Sequence, residues 1–71
     1  MDEIETPESS NVAGGTYDPD LRQMTVRFRN GDSYTYHGVD AGVWEGFKSS
    51  DSKGSYVHRQ IKGRFRHTRG E

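Results

Sequence analysis

The sequence predicts a small α+β domain, in which an antiparallel β-meander of two or three strands is packed by two short helices. Three observations predict it: apolar residues alternate from Met24 to Phe28, Asn30-Gly31 follows, and residues 53–66 carry an apolar residue at every fourth position. Alternation is typical of a half-buried strand, Asn-Gly of a tight hairpin and the four-residue step of an amphipathic helix. The length of 71 residues allows one domain at most.

Composition excludes several classes of protein. The chain has no cysteine, which rules out disulfides and cysteine-ligated zinc. No apolar run approaches the roughly 20 residues of a membrane-spanning helix, so we expect a soluble, cytoplasmic protein with no membrane partner. Three Phe, four Tyr and one Trp supply the apolar surface for one small core.

Charge is distributed unevenly along the chain. Residues 1–20 contain six acidic residues and no lysine or arginine, whereas residues 52–70 contain six lysines and arginines and no acidic residue. This asymmetry is typical of proteins that contact a polyanion, and also of chains with two solvated tails.

The ends of the chain are predicted to lie outside the domain. Residues 1–9 combine acids with a proline and have little apolar surface, so we expect a disordered acidic arm. The domain then spans residues 10–66, and residues 67–71 form a disordered tail. The arm could fold back onto the basic residues, in which case deleting residues 1–8 would strengthen the binding of a polyanion.

The first strands follow the arm. Val12 to Tyr17 predict an edge strand, and Asp18-Pro19-Asp20 predicts a turn. In the next strand one face is apolar and the other is polar: Met24, Val26 and Phe28 alternate with Thr25, Arg27 and Arg29. The two arginines are therefore expected to point away from the core.

The returning strand, Ser33 to His37, carries two tyrosines on one face, Tyr34 and Tyr36. A two-residue loop at Asn30-Gly31 would place both tyrosines on the face of the arginines. A one-residue bulge at Gly31 would shift the register and send both into the core. The sequence leaves these two registers open.

Two helices complete the fold. Asp40 is placed to cap a short helix that carries Val43, Trp44 and Phe47. The second helix is predicted over residues 53–66, with Val57, Ile61 and Phe65 on one apolar stripe. These apolar residues should close onto the face of Met24, Val26 and Phe28.

Together these segments resemble a known family. The motifs are SSNVAGGTYD, F-x-N-G, the YxY of Tyr34 and Tyr36, Val39, SKG and IKGRF, in an order that runs from about residue 9 to Phe65. The chain resembles the KTSC domain, a small module named after the C-terminus of some lysyl-tRNA synthetases and also found as free-standing bacterial and phage proteins. The resemblance implies a β-meander with helices and no settled activity, and RNA binding has been suggested for the family. A phage-encoded copy would act in the host cytoplasm.

A non-catalytic module that binds nucleic acid, with RNA preferred, is the leading functional prediction. The candidate contacts are cations for phosphates and tyrosines for stacking a base: Arg27, Arg29, Tyr34, Tyr36, Lys53, Arg59, Lys62, Arg64 and Arg66. The alternative is a small oligomeric phage or bacterial accessory protein that binds a small anionic ligand or a protein partner.

Enzymatic chemistry is not expected. The acidic residues lie mostly in the arm and at turns, and no pair of histidines has the four-residue helical spacing of metal ligands. We therefore predict no catalytic residue, no metal site and no cofactor.

Overall fold

The alternating segments of the sequence form a five-stranded antiparallel sheet in the order β1-β2-β3-β4-β5. The structure, a computed structural model, describes residues 1–70. Two helical segments, α1 and α2, follow β4, and α2 continues directly into a π-helical turn. The elements are β1 (Asp2–Glu5), β2 (Val12–Asp18), β3 (Gln23–Phe28), β4 (Ser33–His37), α1 (Ala41–Ser49), α2 (Lys53–Tyr56), the π-turn (Val57–Ile61) and β5 (His67–Gly70). We call α2 and the π-turn together the second helix.

The sheet is larger than the two or three strands that the sequence predicts. The segment predicted as a disordered arm contains β1, and the segment predicted as a disordered tail contains β5, so each adds an edge strand. The last residue of that tail, Glu71, lies outside the described residues. Both additions depend on pairing with distant residues, which local composition does not reveal.

Polar side chains fasten β1 to the rest of the fold. Asp2 accepts hydrogen bonds from the Trp44 indole nitrogen at 2.7 Å and from Lys48 Nζ at 2.8 Å. Ile4 packs against the core, and the Thr6 hydroxyl donates to the Val12 carbonyl at 2.6 Å. Asp2, an acid of the predicted arm, thus forms part of the folded structure.

The contact between Asp2 and Lys48 predicts a pH dependence of stability. The hydrogen bond from Lys48 lowers the pKa of Asp2, and the same bond raises the pKa of Lys48. A lowered carboxyl pKa stabilises the fold above the unfolded value of about 3.9, and this stabilisation is lost as the pH falls through the folded value. The Asp2→Asn variant should therefore melt below wild type at pH 7 and show a smaller further loss between about pH 5 and pH 2. Thermal melts across this range, with Asp20→Asn as control, test this, and parallel profiles for Asp2→Asn and wild type would contradict it.

The β3–β4 hairpin follows the second of the two predicted registers. Gly31 has a φ of 97°, the Gly31 N–H donates to the Phe28 carbonyl at 3.1 Å, and the Phe28 N–H donates to the Asp32 carbonyl at 2.8 Å. This is a three-residue loop with a glycine bulge. Met24 consequently pairs with Tyr36 and Val26 with Tyr34, so both tyrosines share the core face.

The glycine that sets this register predicts a clear contrast between two substitutions. Gly31→Val forces a β-branched residue to a φ that favours glycine, and it should cost about 1–2 kcal/mol of unfolding free energy. Gly42 lies exposed in α1 with open space around it, so Gly42→Ala should gain about 0.5–1 kcal/mol. Urea denaturation of both variants measures these changes, and a Gly31→Val protein as stable as wild type would contradict the role of the bulge.

The core lies between the helices and one face of the sheet. Trp44 is its centre: its ring stacks on Tyr17 at 5.7 Å and on Phe47 at 5.6 Å between centroids. The Tyr17 hydroxyl donates to the Val39 carbonyl at 2.6 Å. The buried apolar residues are Val12, Tyr17, Met24, Val26, Tyr36, Val39, Trp44, Phe47, Val57 and Ile61.

The second helix is shorter than the predicted span of residues 53–66. It ends at Ile61, because Gly63 has a φ of 83° and turns the chain away. Phe65 therefore lies beyond the helix, half-buried at the margin of the core, and its four-residue spacing from Ile61 does not reflect a helical stripe. Asp40 occupies the predicted cap position of α1, but its carboxylate pairs with Arg22 and makes no capping hydrogen bond.

The other face of the sheet carries polar residues. Four threonines from four adjacent strands lie side by side across it: Thr16, Thr25, Thr35 and Thr68. The hydroxyls of Thr25 and Thr35 lie 2.9 Å apart. We call this surface the threonine face.

Candidate nucleic-acid interface

An aromatic cleft of about 200 Å³ opens between the second helix and strands β3 to β5. Apolar rings and an aliphatic side chain line its interior, and polar and basic groups line its rim. The lining residues are Asn11, Phe28, Tyr34, Tyr36, Gly54, Val57, His58, Lys62 and His67. Of these, the sequence prediction included Tyr34, Tyr36 and Lys62.

The aromatic rings of the cleft hold one another in place. Tyr34 packs edge-on against Phe28 at 5.8 Å and against His67 at 5.6 Å between centroids. Tyr36 is 3% exposed, and burial raises the pKa of its hydroxyl, with a smaller contribution from Tyr34. Tyr36 thus packs in the core, and its predicted role as a stacking surface would require the core to open. Phe28 and Tyr34 are half-buried, so part of each residue remains exposed to solvent.

The loop before β2 places Asn11 at the rim. The Ser9 hydroxyl accepts from the Val12 N–H at 3.0 Å, and the Asn11 carbonyl accepts from the Arg29 N–H at 2.9 Å. The Arg29 guanidinium also donates to the carbonyls of Ser9 at 2.7 Å and Thr6 at 2.9 Å. Arg29, predicted as a phosphate contact, therefore braces this loop.

The Asn11 side chain itself is exposed. Its amide makes no hydrogen bond within residues 1–70 and lies beside Gly54, where an added Cβ would sit 3.6 Å from Nδ2. A free amide beside aromatic rings can form hydrogen bonds with the polar edge of a planar ring that stacks on them.

A larger, polar groove of about 890 Å³ adjoins the cleft and shares Asn11, Gly54 and His58 with it. The groove runs between the loop before β2 and the loop that joins the two helices. Lys53 and Arg59 line it, together with several serines and the acids Glu5, Glu8 and Asp51. The Ser52 hydroxyl accepts from the Ser55 N–H at 3.4 Å, which starts the second helix at the SKG segment.

The predicted cations differ in their partners. Arg27 lies on the threonine face and pairs with Glu5 at 2.9 Å and Glu3 at 3.5 Å, so β1 neutralises it. Five others make no ion pair within the described part of the chain and lie on or after the second helix: Lys53, Arg59, Lys62, Arg64 and Arg66. We call these five the basic set. The arm pairs with Arg27 and Lys48 and makes no ion pair with the basic set within residues 1–70, although Glu5 and Glu8 line the groove beside Lys53 and Arg59.

Six lining residues were not among the predicted contacts: Asn11, Phe28, Gly54, Val57, His58 and His67. Phe28 and Val57 were assigned to the core, and His67 to the tail. Asn11 could have been found from its place in the SSN motif, whereas His67 reaches the cleft only because β5 pairs with β4.

Neither a membrane span nor a metal cluster stands out. None of the helices within residues 1–70 is long and apolar enough to cross a bilayer. Over the same residues, no three histidine or acidic side chains converge as ligands for a metal ion.

Comparison with known proteins settles the family. The family model described as the KTSC domain matches residues 8–65. The chain belongs to the KTSC domain family. A KTSC domain protein from Yersinia pestis, whose crystal structure is known, has the same fold, with a TM-score of 0.90 at 32% identity over 99% of this chain and 97% of that one. The resemblance inferred from the motifs is confirmed.

Two further relatives place the KTSC domain in different settings. A lysine–tRNA ligase from Nostoc sp. is 36% identical over 61 residues, which is 86% of this chain and 11% of the ligase. A protein from Tsukamurella paurometabola is 34% identical over 59 residues, which is 83% of this chain and 88% of that protein. This chain thus spans about a tenth of the length of the ligase and most of the length of the smaller relative.

The motifs that carry the family resemblance meet at the aromatic cleft. SSN contributes Asn11, F-x-N-G contributes Phe28, YxY contributes both tyrosines, SKG contributes Gly54 and IKG contributes Lys62. Segments that are distant in sequence thus supply one surface.

Proposed function

We propose that the chain is a non-catalytic module that binds single-stranded nucleic acid, with RNA as the preferred partner. The observation that carries this proposal is the basic set, which has no ion-pair partner within residues 1–70: its Lys62 lines the aromatic cleft, and its Lys53 and Arg59 line the adjoining groove. Cations that follow a phosphate backbone, next to rings on which bases stack, are the usual elements of single-strand recognition. The amide, ring and ammonium groups of this surface suit binding rather than bond cleavage.

The fusion of the domain to an enzyme of tRNA supports RNA over DNA. The Nostoc relative is named a lysine–tRNA ligase, and the matched segment is a small part of it. A small module attached to an enzyme that handles tRNA is well placed to hold RNA. For the free-standing chain we propose a cytoplasmic location, which is the host cytoplasm if a phage encodes it.

Deleting the acidic arm is not a clean test of whether its acids weaken the binding of RNA. Deleting residues 1–8 would remove β1 and the Asp2 contacts to Trp44 and Lys48, so the deletion would destabilise the fold. Glu8 is the acid to test, because it is exposed and lines the groove with Lys53. Glu8→Gln should strengthen RNA binding slightly.

A titration of fluorescein-labelled single-stranded RNA, followed by anisotropy at 50 and 200 mM salt, tests the proposal. Phosphate contacts release counterions, so the affinity should fall steeply between the two salt concentrations. Absence of binding at 50 mM salt, or binding that does not depend on salt, would overturn the proposal.

The alternative is a small oligomer that holds a small anion or a protein partner at a subunit seam. It is favoured by the position of β5, an edge strand that pairs on one side only. Sedimentation at tens of micromolar separates the two proposals: a strict monomer that binds RNA supports the first, and a dimer without affinity for RNA supports the second.

A further inference from the structure

We propose that the aromatic cleft is a pocket for one unpaired base of the bound strand, recognised through its polar edge by Asn11. This inference rests on the proposed function and makes it specific. It names the part of the strand that enters the cleft and the side chains that contact it.

The volume of the cleft limits the size of the group that can bind in it. Its volume of about 200 Å³ lies below the roughly 300–1,000 Å³ of pockets for drug-sized molecules. A space of this size suits one planar ring system rather than a larger molecule. The remaining nucleotides of a strand must therefore lie outside.

The walls of the cleft suit a planar ring. Phe28 and Tyr34 present half-buried ring surface, and Val57 closes the side formed by the second helix. The edge-on packing of Tyr34 between Phe28 and His67 fixes the orientation of its ring before a ligand arrives. A fixed ring loses little conformational freedom when a base stacks on it.

The rim of the cleft supplies a polar contact for the base. The Asn11 amide offers both donors and an acceptor, and it has no hydrogen-bond partner among the described residues. The backbone of Asn11 forms hydrogen bonds with Ser9 and Arg29, and Arg29 also donates to the Ser9 carbonyl. The side-chain amide of Asn11 is therefore carried by a loop that these bonds stabilise. An amide can bind the Watson–Crick edge of a base that is not paired.

The cations lie where the backbone of such a strand would leave the cleft. Lys62 lines the cleft itself, and Lys53 and Arg59 line the groove that continues from it past Asn11, Gly54 and His58. A base in the cleft therefore places its neighbouring phosphates between Lys62 on one side and the groove on the other.

An abasic oligonucleotide separates this inference from the proposed function. The probes are a fluorescein-labelled eight-nucleotide uridine strand and a strand of the same length and charge without bases, each titrated with the full chain at 50 mM salt. One stacked base is worth a factor of about ten in affinity, so the uridine strand should bind about tenfold more tightly. Equal binding of both strands would overturn the base pocket and leave the proposed function standing. Failure of both to bind would overturn the proposed function, and the base pocket with it.

Two variants test whether Tyr34 and Asn11 cause the preference for the uridine strand. Tyr34→Leu keeps apolar volume and removes the aromatic ring, and Asn11→Ala removes the free amide without touching the core. Tyr34→Leu should reduce the preference for the uridine strand to about twofold or less, and Asn11→Ala, which removes a hydrogen bond, should lower it by about threefold to fivefold, while the abasic strand binds to both variants as before. Gln60→Ala removes an exposed amide that lines neither the cleft nor the groove, so it is the matched control and should keep the tenfold preference. If Tyr34→Leu fails to fold by circular dichroism, Asn11→Ala alone decides: an unchanged preference in that variant would overturn the inference.

Discussion

Trp44→Ala is expected to leave most of the chain unfolded at room temperature. Trp44 is 2% exposed, stacks on Tyr17 and Phe47, and donates its indole N–H to Asp2. Truncating a large buried aromatic residue costs about 3–5 kcal/mol, which is close to the whole stability of a domain of this size. Circular dichroism melts measure the loss.

Two controls make the Trp44 result interpretable. Phe65 lies half-buried beyond the end of the second helix, so Phe65→Ala should lower the melting temperature clearly less than Trp44→Ala. The sequence pattern alone gives these two residues equal importance. Arg66 is exposed, and Arg66→Ala should change the unfolding free energy by less than about 0.5 kcal/mol. A Trp44→Ala protein that melts like wild type would mean that α1 does not pack on the sheet as described.

Arg59→Ala combined with Lys62→Ala is expected to weaken RNA binding on the order of 100-fold at low salt. Both residues lie on or just after the second helix, one in the groove and one in the cleft. A hydrogen bond to a charged group contributes about 1.5–3 kcal/mol, so two such contacts at the lower end of this range account for a loss on the order of 100-fold. The slope of log affinity against log salt should also fall by about 1.4, since each phosphate contact on a single strand contributes about 0.7.

The matched control for this variant removes the same charge elsewhere. Arg22→Ala with Arg27→Ala also deletes two arginine or lysine charges, but both side chains are engaged in ion pairs, with Asp40 and with Glu3 and Glu5. This control should bind RNA within about threefold of wild type, because only general charge is lost. Equal losses in the two double variants would mean that net charge, not the interface, governs binding.

The sequence predicts the parts of this fold that depend on neighbouring residues. Strands β3 and β4 and helix α1 follow from alternation, the Asn-Gly turn and the spacing of Trp44 and Phe47. Strand β2 was predicted as an edge strand, but β1 pairs with its outer side and makes it an inner strand. The side occupied by Tyr34 and Tyr36 could not be chosen, because it depends on whether Gly31 forms a bulge. Once the bulge at Gly31 is known, the register of β3 and β4 follows, and with it the position of both tyrosines on the core face.

The parts that the sequence did not predict depend on long-range contacts. Strands β1 and β5 are short and polar, and they form because β2 and β4 offer free edges. The same distinction applies to the residues of the cleft. Lys62 and the two tyrosines were predicted from local pattern, whereas His67 lies in the cleft only because β5 pairs with β4. Arg27 was expected to contact phosphate, but the acids Glu3 and Glu5 of β1 pair with it.

The most direct test of the interface is a map of backbone amide chemical shifts in a nitrogen-15-labelled chain, recorded by NMR as the uridine strand is added. We expect shifts around the cleft and groove, at Asn11, residues 53–62 and His67. We expect no shift on the threonine face, at Thr16 and Thr25. Shifts confined to the threonine face, or none at saturating RNA, would contradict an RNA interface at the cleft and groove.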